Sequence, residues 1–246
     1  KRPQEALAAY DRAIALQPRF AEAFYNRGVA LQDLGRAAEA AEAYGRAVAL
    51  TPDFADAHNN LGNALKDLDR LDDALAAYER ACAARPDFAE AHYNRGVLLL
   101  DLKRPGESLA AYDRAIALKS DYAEAHFSRG LCKLAMGRVP EAWDEFEWRW
   151  KLPELKPPGY TQPRWQGEAA HDSTILIWPE QGFGDSLMGA RYLPWVKQRV
   201  GRVLLGCRPE LRRIFSTVPG VDQVLVTGEQ LPAFDLQCPL LSLPGI

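Results

Sequence analysis

The sequence predicts two architectures in one chain: an all-α superhelix of repeated helical hairpins, followed by part of an α/β domain with a parallel sheet. Three observations lead to this prediction. A pattern of 34 residues recurs four times from residue 21 onwards. A proline-rich segment follows it. Beyond that segment, short apolar runs alternate with helical patterns, which is typical of parallel strands joined by crossover helices.

The repeated unit has a glycine, an aromatic residue and a proline at fixed places. The glycine lets the first helix of a unit (helix A) approach the second (helix B) closely, and the aromatic residue is expected to fill the gap between successive units. Proline ends helix B because it cannot continue a helix. The residues are Gly28, Gly62, Gly96 and Gly130; Tyr44, Tyr78, Tyr112 and Phe146; and Pro18, Pro52 and Pro86, with Ser120 in the fourth unit.

This pattern resembles the tetratricopeptide repeat, whose period and Gly, Ala, aromatic and Pro positions it matches. The resemblance implies stacked hairpins, each covering the apolar face of its neighbour. Because residues 1–20 hold only a helix B, we expect further repeats before them in the native protein. The predicted repeat region is 1–152, with a half repeat at 1–20, full repeats at 21–54, 55–88 and 89–122, and a degenerate repeat at 123–152.

Three polar columns follow from the alignment of the repeats. His58, His92 and His126 share the position of Phe24, so a packing role is favoured over a metal site. The other two columns lie on helix A, where the tetratricopeptide resemblance implies a concave surface. They are Asn26, Asn60 and Asn94, and Asp33, Asp67 and Asp101.

The asparagine and aspartate columns have two interpretations. They are similar to the ladders that hold extended peptide backbone in the superhelix of O-linked N-acetylglucosamine transferases, and an amide offers a peptide group both a donor and an acceptor. This interpretation predicts a protein or peptide partner on the concave face. Alternatively, the residues are surface polar groups that recur only because the unit was duplicated.

The junction between the two architectures is predicted at 153–172. Its prolines favour an extended, stiff chain. In the degenerate repeat just before it, Trp143, Phe146 and Trp150 fall on one stripe of a helix, which indicates that another element packs there. The junction prolines are Pro153, Pro157, Pro158 and Pro163.

The segment 173–246 is predicted to form a partial α/β domain. Pro194 predicts a kink in its first helix, and Gly201 the cap of that helix. Three or four strands are fewer than a doubly wound domain needs, so we expect the native domain to continue beyond Ile246. The predicted strands are 174–178, 203–207, 224–227 and 234–238, and the predicted helices are 186–199 and 209–216.

The loop after the first predicted strand is the candidate chemical site, because it presents backbone N–H groups and the positive end of a helix dipole. Leu187 occupies the last glycine position of the dinucleotide-binding fingerprint, so dinucleotide binding by this motif is disfavoured. Asp185 is either the N-cap of the helix or a general base that the dipole keeps ionised. The loop comprises Glu180, Gln181, Gly182, Phe183, Gly184 and Asp185.

Several segments of this region resemble bacterial proteins that join tetratricopeptide repeats to a heptosyltransferase-like glycosyltransferase region. The resemblance implies an all-α tetratricopeptide superhelix followed by an α/β Rossmann-like half-domain, the N-terminal half of a GT-B glycosyltransferase. The matching segments are 175–185, 191–192, 222–224, Gly228, 234–235 and 238–244.

The same resemblance implies roles for individual residues. Gly184-Asp185 matches the heptosyltransferase pair whose aspartate deprotonates the acceptor hydroxyl, so Asp185 is the implied catalytic base. The implied substrate-binding residues are Glu180, Gln181, Gly182, Gly184 and Arg191. Transfer would need no metal or other cofactor. The nucleotide-sugar donor would bind the second half of the fold, beyond Ile246, so this piece is expected to be inactive alone. The alternative is a non-catalytic tetratricopeptide scaffold for protein interactions.

Composition narrows the classes of function. A formal net charge of −3 argues against a nucleic-acid partner. No apolar run approaches the roughly 18 residues of a membrane span. Four cysteines without a C-x-x-C pair suggest neither a zinc site nor a redox motif, and are consistent with a reducing cytoplasm.

Overall fold

The computed structural model describes residues 3–180 and 182–246, which form two compact units, Lys1–Leu152 and Pro153–Ile246. The first unit is a stack of helical hairpins, as the repeat predicts. Its B helices are α1 (Pro3–Leu16), α3 (Ala37–Leu50), α5 (Leu71–Ala84) and α7 (Pro105–Leu118), and its A helices are α2 (Ala21–Asp33), α4 (Ala55–Asp67), α6 (Ala89–Asp101) and α8 (Ala123–Ala135).

Each hairpin is packed around a contact between glycine and tyrosine. A Cβ atom at Gly62 would lie 2.5 Å from Cε1 of Tyr78, and the distances at Gly28 and Gly96 are 2.6 and 2.7 Å. The tyrosine therefore packs against the glycine of its own hairpin, and does not only fill the gap between units. Contact with the next unit is also present, since Tyr44 shares an apolar cluster with Ala64.

The turn between helices A and B needs one residue in the left-handed region. Gly35 and Gly137 supply it without strain in the first and last hairpins. Asp69 and Lys103 take the same conformation in the middle hairpins, with φ of 58° and 60°. The turn geometry is therefore kept through all four hairpins despite a change of residue type.

The last helix B departs from the prediction of one amphipathic helix. It is a single α-turn, α9 (Trp143–Phe146), followed by a 3-10 helix at Glu147–Lys151. Arg149 stands where the other repeats have a buried alanine, and its guanidinium donates to the Phe146 carbonyl and to Glu147 within this segment. These bonds favour the tighter turn. Phe146 of the predicted stripe packs against Phe127 and Trp143.

The second unit contains a four-stranded, fully parallel sheet in the order β3-β2-β1-β4, as the alternation of strands and helices predicts. Its apolar core includes Trp165, Ile175, Leu205 and Phe215. The strands are β1 (Ala170–Trp178), β2 (Val200–Cys207), β3 (Gln223–Val226) and β4 (Leu236–Pro239).

The helices of this unit are shorter than predicted. The predicted helix at 186–199 is α10 (Phe183–Gly189), a 3-10 turn at Ala190–Tyr192, and α11 (Leu193–Lys197), in which Pro194 lies in the first turn. Gly201 is not a helix cap. It lies inside β2, where a Cβ atom would overlap the backbone oxygen of His171, so the close approach of strands requires glycine. The remaining helical segments are a 3-10 helix at Pro209–Leu211, α12 (Arg212–Phe215) and a 3-10 helix at Leu240–Gly245.

Among the described residues, no helix is both long and apolar enough to cross a membrane.

Candidate functional site

The asparagine and aspartate columns lie on one face of the A helices. Within each helix the two residues are seven positions apart, which is two turns, so both point to the same side. Successive A helices contact one another directly, α4 with α6 and α6 with α8. Asn60 and Asn94 bond to the preceding A helix, so the asparagine column faces the side on which the A helices meet. This is the side that the tetratricopeptide resemblance predicts to be concave.

The three asparagines are half-buried, and two of them, Asn60 and Asn94, donate hydrogen bonds to the preceding A helix. The amide of Asn60 donates to the hydroxyl of Tyr25 at 3.3 Å, and the amide of Asn94 donates to Oδ1 of Asn59 at 3.0 Å. Each bond uses one of the two amide hydrogens. Asn60 and Asn94 thus help to hold the stack together, and each of these bonds uses only part of the hydrogen-bonding capacity of the amide.

The aspartates are exposed, and each is the last residue of its A helix. A carboxylate is disfavoured at this end of a helix, because the dipole is negative there. Helix stability therefore does not explain why Asp33, Asp67 and Asp101 recur. Asn26 and Asp33 also line one cavity of about 290 Å³ with Tyr10, so the structure brings these two predicted residues to a single concave site.

The three histidines bind backbone rather than one another. Nε2 of His58 lies 2.9 Å from the carbonyl oxygen of Pro52, six residues earlier, and His92 and His126 make the same contact with Pro86 and Ser120. Burial lowers the pKa of His92. In residues 3–180 and 182–246, no three His, Cys, Asp or Glu side chains are placed to hold a metal ion.

In the candidate loop of the second unit, Asp185 does not cap the helix that follows. Gly182, with φ of 62°, precedes α10, so Asp185 is not the N-cap but lies in the first turn of the helix. If residue 182 carried a Cβ atom, that atom would lie 3.2 Å from Oδ2 of Asp185. Glycine at this position therefore leaves space beside the carboxylate. Gly184 is exposed. The predicted residue Gln181 lies outside the described residues.

Glu180 and Arg191 are held by backbone groups. Oε1 of Glu180 accepts a hydrogen bond from the N–H of Leu241 at 3.1 Å, which ties the loop to the segment after β4. The exposed Arg191 donates from Nε to the Met188 carbonyl at 3.0 Å. Glu180 therefore has a structural partner, while most of the Arg191 guanidinium is accessible.

A cavity of about 280 Å³ lies at the carboxyl ends of β1, β2 and β3, and sequence reasoning missed its residues. Trp178, Cys207, Thr227 and Glu229 line it, and none of the predicted loop residues does. Their positions at the ends of the predicted strands could have indicated them, because residues that follow parallel strands meet at one edge of the sheet. Hydrogen bonding from the Val226 N–H and from Arg212 lowers the pKa of Glu229.

Family comparisons identify the repeats. The family model described as "Tetratricopeptide repeat" matches residues 25–87, 59–123 and 105–147, and a model described as "TPR repeat" matches residues 3–35. Among curated proteins, Protein FlbA of Caulobacter vibrioides is 35% identical over 69 residues, which are 27% of this chain and 12% of that protein.

Solved structures with a similar fold are also repeat proteins. MamA matches with a TM-score of 0.56 and 26% identity, over 59% of this chain and 85% of that one. YrrB, described as a TPR protein with an unusual peptide-binding site, matches with a TM-score of 0.53 and 25% identity, over 59% and 75%. TTC0263, a thermophilic TPR protein of Thermus thermophilus, matches with 0.52 and 26%, over 63% and 85%.

Proposed function

Because this chain belongs to the tetratricopeptide-repeat family, we propose that its repeats are a scaffold that binds an extended segment of a partner protein along the inner face of the A helices. The observation that carries the proposal is the pair of polar columns, Asn26, Asn60 and Asn94 beside Asp33, Asp67 and Asp101. The peptide-binding description of YrrB, whose fold is similar, supports it.

The two columns would have different tasks. The asparagine amides offer hydrogen bonds to peptide backbone, which is independent of the sequence of the partner. The exposed aspartates attract basic side chains of the partner, and salt screens this attraction because the charges are exposed. The expected partner is therefore an extended segment with lysine or arginine residues.

The aspartate column can be tested without disturbing the fold, because its residues are exposed. The probe is a displayed library of unstructured 15-residue peptides, selected against the chain. We expect the triple variant Asp33→Asn, Asp67→Asn, Asp101→Asn to bind the selected peptides about tenfold to a hundredfold more weakly, as for the loss of one to three kcal/mol. Fluorescence anisotropy at two salt concentrations measures the change.

A matched control changes the same charge on another surface. Asp53, Asp87 and Asp121 are also exposed and also recur every 34 residues, but they lie in the loops before the A helices. Their triple change to asparagine is expected to leave the affinity within about threefold. Equal losses in both triple variants would show that only net charge matters, and the inner-face proposal would be wrong.

A second candidate function concerns the unit Pro153–Ile246. We propose that it is part of a sugar-transferring enzyme, the Rossmann-like N-terminal half of a GT-B glycosyltransferase, with Asp185 as base. The resemblance of its motifs to heptosyltransferases motivates this. The strand order β3-β2-β1-β4 is consistent with half of a doubly wound sheet. In this proposal the nucleotide-sugar donor binds the second half of the fold, which this chain does not include. The compartment would be the cytoplasm, whose reducing conditions agree with four free cysteine thiols.

The test of this second candidate uses the full-length protein. Release of nucleoside diphosphate from a panel of uridine, guanosine and adenosine diphosphate sugars is the readout. We expect Asp185→Asn to lower turnover by about a hundredfold or more, the range for loss of a general base, with an unchanged melting temperature. Asp172→Asn, an exposed carboxylate on β1, is the control. If the full-length protein binds none of these sugar nucleotides, the unit is not an enzyme of this class.

A further inference from the structure

One interface between repeats differs from the other three. Elsewhere, an arginine at the seventh position of helix A pairs with an acidic residue in the preceding helix B. At the interface of α3 with α4 the same two positions hold leucine and glycine, and a Cβ atom at that glycine would meet nothing within 4 Å. The pairs are Arg27–Asp11 at 2.8 Å, Arg95–Glu79 at 3.6 Å and Arg129–Asp113 at 2.5 Å, and their counterpart is Leu61 and Gly45.

The loss of this pair leaves a larger groove on the outer side of the stack. The groove lies between the B helices α3 and α5, with α4 as its floor, and has a volume of about 530 Å³. The equivalent groove between α1 and α3 measures about 310 Å³, and Asp11 and Arg27 are among the residues that line it. The volume at Leu61 is in the range of pockets that bind ligands.

The groove has an apolar floor, and small side chains line its walls. Leu61, Leu65 and Leu68 form its floor, at spacings of four and three residues along α4. Leu68 is 36% exposed although the residues around it are part of the repeat core. Alanines such as Ala41 and Ala77 line the walls, so that the backbone of another helix could approach closely.

Two opposite charges stand at the two walls without a partner. Glu42 projects from α3 and Arg80 from α5, and neither makes an ion pair or hydrogen bond within the described part of the chain. The other charged residues at the rim, Arg70 and Asp73, pair with each other at 2.6 Å. Glu42 stands where α1, α5 and α7 have Ala8, Ala76 and Ala110, and it also lines the smaller groove between α1 and α3.

We propose that this outer groove binds one amphipathic helix of a partner protein. Apolar side chains of that helix fill the space above Leu61, Leu65 and Leu68, since a groove between two helices accepts the ridge of a third. A basic side chain of the partner pairs with Glu42, and an acidic one pairs with Arg80. This site is separate from the aspartate column and does not rest on peptide binding there.

The test restores the pair that is present at the other interfaces. The variant Gly45→Asp, Leu61→Arg is expected to fold, because an arginine paired with an acidic residue already packs at the other three interfaces. A thermal melt followed by circular dichroism checks this. The probe is a phage-displayed library of 18-residue amphipathic helices. We expect enriched peptides to share an apolar stripe flanked by a base and an acid, and to bind the double variant at least tenfold more weakly.

A charge exchange makes the test specific. Glu42→Lys is expected to weaken the selected peptide by about fivefold to tenfold, as for an interfacial charge pair, and exchange of the peptide's basic residue for glutamate is expected to restore binding. The aspartate-column variant Asp33→Asn, Asp67→Asn, Asp101→Asn is the control and should bind the helix normally.

Three results would overturn the proposal. The first is equal binding of the selected helices to the wild-type chain and to the folded double variant. The second is no enrichment of an amphipathic helix at all. The third is a concentration-dependent dimer in sedimentation that the double variant abolishes, because the groove would then bind a second copy of this chain. Each of these results leaves the inner-face proposal standing, so the two failures are distinguishable.

Discussion

Replacement of Gly62 by alanine is expected to destabilise the repeat stack, although alanine is the better helix former. The new Cβ atom would lie 2.5, 2.7 and 2.9 Å from three ring carbons of Tyr78. That ring is fully buried, and its hydroxyl donates to Asn63 at 2.7 Å, so it has little room to move. Overpacking of this kind costs about 1–3 kcal/mol, more than the gain of up to about 1 kcal/mol in helix propensity.

The matched control is the same substitution at Gly45. This glycine also lies inside a helix, but no atom would come within 4 Å of its Cβ. Gly45→Ala is therefore expected to stabilise the protein by about 0.5–1 kcal/mol, because only helix propensity changes. Urea unfolding followed by circular dichroism measures both variants. A stabilising Gly62→Ala would show that Tyr78 can shift, and that the glycine is not required by packing.

The close approach of helices A and B at the glycine could be predicted, because the same residues recur at the same spacing in several copies. The contact of that glycine with the tyrosine of its own hairpin was not predicted. Repetition also predicts the hairpins, since each copy carries its own Gly, aromatic and Pro positions. The hydrogen bonds of Asn60 and Asn94 could not be predicted, because they join different repeats and depend on the residue at the fifth position of the preceding helix A. That position holds Tyr25 in one repeat and Asn59 in the next.

The outer groove shows how a break in a repeated pattern carries information. The change from arginine to Leu61, together with Gly45 in place of an acid, is visible in the sequence. The sequence does not reveal that the two changes belong together, because only the structure shows that these positions face each other across α3 and α4. A departure at two positions that are in contact is a stronger indication of a site than either substitution alone.

The topology of the second unit was predictable, but the cavity at its strand ends was not. Alternating apolar runs indicate a parallel sheet, and parallel pairing of β1 with β2 and with β4 agrees with this. The loop residues around Asp185 stand out because of their glycines. The cavity at the strand ends is lined by Trp178 and, about fifty residues later in the chain, by Thr227 and Glu229, and these residues carry no motif.

The degenerate fourth repeat contains a cluster of three charged side chains, and one of them replaces an alanine of the other repeats. Glu145 occupies the position of Ala43, Ala77 and Ala111. Its two oxygens accept hydrogen bonds from Nε of Arg129 at 2.7 Å and from Nζ of Lys133 at 2.6 Å. The three side chains are only 12%, 18% and 14% exposed. Removal of the Glu145 charge leaves the largely buried Lys133 without an acidic partner, whereas Arg129 still pairs with Asp113 at 2.5 Å.

Glu145→Gln is therefore expected to lower the free energy of unfolding by about 2–4 kcal/mol, because two charge-assisted hydrogen bonds are lost and Lys133 is left without an acidic partner. Glutamine keeps the size of the side chain, so loss of packing does not contribute. Glu39→Gln is the control, since Glu39 pairs with Arg36 at the surface, where ion pairs contribute little. Its unfolding midpoint should match that of the wild-type chain.

The same cluster predicts how stability depends on pH. Burial by itself would raise the pKa of Glu145, but the hydrogen bonds and charges of Arg129 and Lys133 outweigh it, so the pKa is lowered from 4.5. A carboxyl group whose pKa is lower in the folded than in the unfolded state stabilises the fold above its unfolded pKa, and this contribution is lost as the pH falls through the folded value. The difference in stability between the wild-type chain and Glu145→Gln should therefore be constant from pH 7 to about 5.5 and shrink below 4.5. A difference that did not change with pH would mean that Glu145 acts through its shape and not through its charge.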